Sequence, residues 1–136
     1  MAILLDASAV VAAADRDDLN HRAMVAWLAR VDEPLLAGTL TLAEVDHLLT
    51  RSLGTAASRA FIESVVAGEI RLVPPTEDDL ARALELVDEG GGAVRLAEAA
   101  MVAAAERLGV RRIATFDRRP LALLRPRHVR ALHLEP

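Results

Sequence analysis

Apolar runs too short to be helices recur along this chain, and nearly every one leads into a stretch with helical spacing. Ala2 to Leu5 is the first; it ends at Asp6, after which Ala7 to Ala14 reads as a helix. A run of this length predicts a strand buried on both faces. Leu35 to Ala37, Ile70 to Val73, Arg112 to Thr115 and Ala131 to Leu134 are read the same way. Helices are expected over Leu19 to Val31, Thr39 to Leu53, Ala56 to Ala67, from Thr76 to about Val87, and over Ala93 to Leu108. A short helix follows the turn Asp117-Arg-Arg-Pro120. Strands alternating with helices define an α/β class, a mostly parallel central sheet flanked by helices. The 136 residues fit a single domain, 1–136, large enough to bury roughly two-thirds of its unfolded surface.

Composition removes several classes of function. The chain has no cysteine, so disulfides and thiolate metal sites are excluded and carboxylates and histidines remain as ligands. The four histidines, His21, His47, His128 and His133, show no ligand spacing. No apolar run approaches the roughly 18 residues of a membrane span; no membrane association and a cytoplasmic location are expected. A phosphoacceptor role for Asp6 fits poorly, because the chain has no lysine to partner a phosphate. The net charge of −4 hides an asymmetry: Arg111, Arg112, Arg118, Arg119, Arg125, Arg127 and Arg130 face a single nearby acid, Asp117. Such a flank suits a phosphate backbone, and equally a solvated face.

Carboxylates sit at the junctions between elements. Asp6 follows the first strand and Asp117 follows the strand Arg112 to Thr115, so both are delivered to strand C-terminal ends, where open α/β sheets bind ligands. Each also reads as a helix cap or an Asx turn. Glu44 lies in Thr41-x-x-Glu44, which matches a capping box. Glu98 falls among Val94, Met101, Val102 and Ala105 at 100° per residue, inside an apolar stripe, with Arg95, Glu106 and Arg107 left to the solvated side. A carboxylate facing the interior is costly unless an arginine or another cation compensates it. One shared site explains all four acids together. Converging carboxylates repel, and an all-oxygen donor set selects a hard ion, Mg²⁺ or Mn²⁺, whose chemistry with phosphate is phosphodiester hydrolysis.

The segments Leu4-Leu-Asp-Ala-Ser-Ala9, Thr41-Leu-Ala-Glu-Val-Asp46, Leu96-Ala-Glu-Ala-Ala100 and Ala114-Thr-Phe-Asp-Arg-Arg119, with the closing Leu124-Arg-Pro126, resemble in order and spacing the PIN-domain ribonucleases. Among these the chain resembles specifically the VapC toxins of bacterial toxin–antitoxin pairs. The resemblance implies a PIN-like fold and a Mg²⁺- or Mn²⁺-dependent endoribonuclease acting on RNA. It also implies a homodimer restrained by a VapB-type antitoxin. Carried over, Asp6, Glu44, Glu98 and Asp117 are the catalytic and metal-binding quartet, Ser8 and Thr115 are supporting hydroxyls, and Arg118 and Arg119 contact RNA phosphates. Two departures stand out: the family usually has Asp where this chain has Glu98, and many members carry a further Asp where this chain has Gly91. They leave open a catalytically weakened PIN module that acts by binding antitoxin or RNA.

Overall fold

The computed structural model describes all 136 residues. Five strands, β1 (Ile3–Leu5), β2 (Leu35–Gly38), β3 (Ile70–Val73), β4 (Arg112–Ala114) and β5 (His133–Glu135), form one sheet in the order β3-β2-β1-β4-β5. Every pairing is parallel. Seven helices connect and cover them: α1 (Ala7–Ala14), α2 (His21–Leu28), α3 (Thr39–Leu53), α4 (Thr55–Val66), α5 (Glu77–Glu89), α6 (Leu96–Leu108) and α7 (Arg118–Ala122). The chain moves from β1 outward through β2 to β3, then returns to lay β4 on the other side of β1. The order therefore reverses between β1 and β4, which is the point where such sheets open a crevice.

Successive side chains of a strand point to opposite faces, and both faces here are apolar. Leu4 packs with Leu36, Val73 and Ile113 against α5 and α6, whereas Ile3 and Leu5 pack with Val10, Met24, Val45, Leu49 and Phe61 on the side of α1 to α4. β1 has covered neighbours on every side, which explains its uninterrupted apolar sequence. α6 is the most enclosed helix: Glu98 through Ala105 are all buried. Five alanines in that run let neighbouring backbones approach closely. Gly109 ends the helix at φ 69°, the left-handed cap conformation that costs glycine least.

Local chemistry fixes the helix ends. Thr76 and Asp79 exchange backbone-to-side-chain bonds of 3.0 Å in a capping box that starts α5. Arg107 of α6 stands 2.9 Å from the same Asp79 carboxylate. Burial pushes the Asp79 carboxyl up, but the Arg107 guanidinium and the Thr76 N–H outweigh it and hold the group below its ordinary range. At the far edge, Arg112 bonds Glu135 at 2.8 Å and also Glu33, while the Trp27 indole N–H donates to Glu135 at 3.0 Å. These bonds tie β5 and α2 to the sheet.

Several expected boundaries shift. The helix expected over Leu19 to Val31 is only His21–Leu28, because Asn20 N–H bonds the Asp18 carboxylate at 2.8 Å in an Asx turn that leaves Leu19 fully exposed. The helix expected from Ala93 begins at Leu96. Gly91 and Gly92 adopt positive φ, and Arg95 is an extended N-cap whose N–H is accepted by Glu98. The last strand is displaced to His133–Glu135, in register with Arg112 to Ala114. No helix is long and apolar enough to cross a membrane.

Candidate active site

Asp6 leaves the C-terminal end of β1 and Thr115 leaves that of β4, side by side across the reversal point; the Asp6 N–H donates to the Ala114 carbonyl at 3.0 Å. Asp6 occupies the N-cap position of α1 without making a side-chain cap bond. Its carboxylate turns instead to two hydroxyls. Ser8 Oγ and Thr115 Oγ1 both donate to Oδ2, at 2.7 and 2.8 Å. Each hydroxyl is itself oriented by a backbone donor, Phe116 N–H to Ser8 and Asp117 N–H to Thr115, both at 3.0 Å. With their protons committed to Asp6, the two hydroxyls lie 3.2 Å apart as neighbours without a shared proton. Oδ2 is saturated and Oδ1 takes no bond from the protein, so Asp6 is a rigid acid with one oxygen to offer.

The other three expected acids border the same cleft, of about 250 Å³. Glu44 reaches it from the second turn of α3. The capping-box reading of Thr41 and Glu44 does not hold, because α3 begins at Thr39 after Gly38 and neither side chain caps it. Glu98 enters from the first turn of α6, 5% exposed, where the helix dipole favours a carboxylate. Asp117 is the N-cap of α7 with no side-chain cap bond, exposed at the rim. Asp18, from the loop before α2, is a fifth acid lining the cleft.

Arg95 is exposed as expected, and it also pairs with two of the acids. Its Nη2 lies 2.9 Å from Glu98 Oε1 and 3.0 Å from Glu44 Oε1, bridging two helices. The i, i+3 spacing of Arg95 and Glu98 was the signal available in the sequence. No three carboxylates stand close enough together to hold one ion with the side chains so arranged. The donor set nevertheless fits a hard divalent cation: five carboxylates face one guanidinium, Asp6 keeps an oxygen open, and the cleft has room for an ion with waters and a phosphate.

Neither Arg118 nor Arg119 lines the cleft; Arg118 donates to the Pro136 carbonyl and Arg119 is exposed. Within the arginine flank, Arg112 pairs with Glu33 and Glu135, and Arg127 with Glu85 at 2.8 Å. Gly91 is also outside the cleft lining, in the left-handed turn before α6.

A five-stranded parallel sheet with carboxylates bordering a cleft at its reversal point defines the domain as α/β with an acidic cleft. The sequence profile of the PIN domain family matches residues 3–125, and the chain belongs to that family. It is 27% identical over 125 residues to Ribonuclease VapC26 of Mycobacterium tuberculosis, spanning 91% of this chain and 93% of that protein. Among solved structures, its fold matches VapC20 of M. tuberculosis, a toxin described as cleaving the sarcin–ricin loop, with a TM-score of 0.83. That match has 22% identity and covers 94% of this chain and 98% of the other. VapBC2 of Rickettsia felis bound to a promoter DNA fragment matches with a TM-score of 0.70 at 13% identity, covering 99% and 98%.

Proposed function

We propose that the chain is a metal-dependent endoribonuclease of the VapC type, with Asp6, Glu44, Glu98 and Asp117 holding Mg²⁺ or Mn²⁺. The observation that carries this reading is Asp6, fixed by two hydroxyls at the sheet's reversal point with one oxygen open toward a cleft bordered by the other three acids. A divalent ion supplies charge neutralisation for the scissile phosphate and a more acidic attacking water. The chain's own groups do the positioning. Ser8 and Thr115 keep Asp6 from rotating, Thr115 also sets the Asp117 backbone, and the dipole of α6 offsets charge on Glu98. Arg118 and Arg119, directly after Asp117 and outside the cleft, suit phosphates flanking the reacting one rather than that phosphate itself. The relative VapC26 is a ribonuclease by name, which supports RNA as the substrate. The test is incubation of the purified chain with total RNA and with a sarcin–ricin-loop hairpin, with Mg²⁺ or Mn²⁺ and then with excess chelator. Discrete cleavage that the chelator stops is expected; cleavage indifferent to chelator would remove the metal from the mechanism.

An antitoxin of the VapB type is the proposed restraining partner, supported by structural relatives that are toxin–antitoxin complexes. The surface that suits it is a groove of about 330 Å³ between α1, α2 and α4, floored by Leu5, Val10, Met24 and Phe61. An apolar face of an amphipathic segment fits such a groove. Ala60 lies exposed on its wall, so Ala60→Glu is expected to leave the melting temperature near that of the parent and weaken antitoxin binding at least about tenfold. Undiminished binding measured by calorimetry would place the partner elsewhere. A homodimer is proposed as well, and exposed Leu80 and Leu84 on α5 are apolar surface that suits it.

A further inference from the structure

The single cation lining the acidic cleft is one of the chain's own side chains. Arg95 Nη2 contacts Glu98 Oε1 and Glu44 Oε1, and its Nε lies 3.3 Å from the same Glu98 oxygen. The Arg95 backbone N–H donates to Glu98 Oε2 at 3.1 Å. Both Glu98 oxygens and one Glu44 oxygen are thereby occupied. The partners differ in freedom: the Arg95 side chain is 66% exposed, whereas that of Glu98 is 5% exposed and is held by the helix start. Exposed ion pairs are weak and their arginines mobile. The guanidinium has room to swing into solvent once another cation compensates Glu98, while Glu98 stays.

We propose that Arg95 is an internal counter-cation, occupying the position between Glu44 and Glu98 that a divalent ion needs and withdrawing when the ion binds. This rests on the metal-site reading above. It accounts for a buried glutamate remaining compensated in the ion-free protein. It also makes the ion and the guanidinium competitors, so the observed metal affinity is the intrinsic affinity multiplied by the fraction of molecules in which Arg95 is withdrawn. By linkage, the ion must loosen Arg95 as much as Arg95 weakens the ion. A chain lacking the guanidinium should bind metal more tightly and, without metal, fold less stably, because Glu98 is left as an unpaired buried charge.

The experiment is calorimetric titration of MnCl₂ into the parent, Arg95→Gln and Arg95→Lys, with thermal melts of each protein with and without Mn²⁺. Arg95→Gln is expected to bind Mn²⁺ about tenfold more tightly, equivalent to about 1.4 kcal/mol. Its metal-free melting temperature should lie below the parent's, and saturating Mn²⁺ should narrow that gap. Arg95→Lys, which keeps the charge but loses the fork, should fall between the two. Adding Asp6→Asn to Arg95→Gln should remove the binding gained, which locates it in the cleft. Binding by Arg95→Gln alone also supports the proposal, as the extreme case of competition. Equal or weaker affinity in a folded Arg95→Gln overturns it; if the parent binds saturably in that case, the metal-site reading stands alone. Absence of binding in both folded proteins overturns both.

Discussion

Asp6→Asn is expected to lower RNA cleavage by about a thousandfold or more and to abolish saturable Mn²⁺ binding, with the fold intact. The two expectations have separate physical causes. A cation at the reacting phosphate is worth several kcal/mol of transition-state stabilisation, and about 4 kcal/mol corresponds to three orders of magnitude in rate. An amide lacks the negative charge that holds the ion. The hydroxyls of Ser8 and Thr115 donate to Oδ2, and an asparagine side-chain oxygen accepts the same two bonds. Replacement also removes one of the five negative charges that share the cleft. The melting temperature should therefore equal or exceed the parent's, which separates loss of chemistry from loss of structure. A variant that cuts RNA at the parent's rate would show that Asp6 does not hold the catalytic ion.

The position of Asp6, between β1 and α1, was legible in the sequence because a four-residue apolar run followed by an acid and then a helical pattern has few structural solutions. The alternation of runs likewise gave the α/β class, and the sheet proved parallel throughout. Strand faces were not separable in advance: Leu4 and its neighbours Ile3 and Leu5 enter opposite cores of equal apolarity, so no alternation marks them. Helix starts were harder. Thr41-x-x-Glu44 carries the sequence signature of a cap, yet the chain turns helical directly after the extended Gly38. At α6 only half a box forms: Glu98 accepts the Arg95 backbone N–H, and an arginine side chain has no acceptor with which to return the bond, so no cap signature marked the start and pattern reading ran the helix back to Ala93.

Arg95 shows a further limit. Periodicity places a Cα, but a long side chain can reach around the helix end to a partner that periodicity does not see. Its bond to Glu44 spans 51 positions, and only the approach of α3 to α6 creates it. Asp18 entered the cleft in the same way, from a loop with no period. Two of the seven arginines of the flank are engaged by distant acids: Glu33 and Glu135 engage Arg112, and Glu85 engages Arg127. Those pairings depend on the fold and were not visible in the run of like charges.

Thr115→Val carries the second large effect, because one hydroxyl serves both aspartates. Thr115 is wholly buried; it donates to Asp6 Oδ2 at 2.8 Å and accepts the Asp117 N–H at 3.0 Å. Valine has nearly the same shape but lacks the oxygen, so the methyl group that replaces it faces a carboxylate and an unpaired N–H. Leaving buried partners unsatisfied costs about 2 kcal/mol, and loss of a group that orients a metal ligand typically costs about 10- to 100-fold in affinity or activity. Urea denaturation should show the first and MnCl₂ titration with RNA cleavage the second. Thr115→Ser, which restores the oxygen and omits only a methyl, should recover most of the metal affinity while remaining somewhat less stable than the parent. Those two substitutions separate orientation from packing. If valine lowers stability yet binds Mn²⁺ and cuts RNA like the parent, the Thr115 hydroxyl supports the sheet edge and Ser8 alone suffices to hold Asp6 in place.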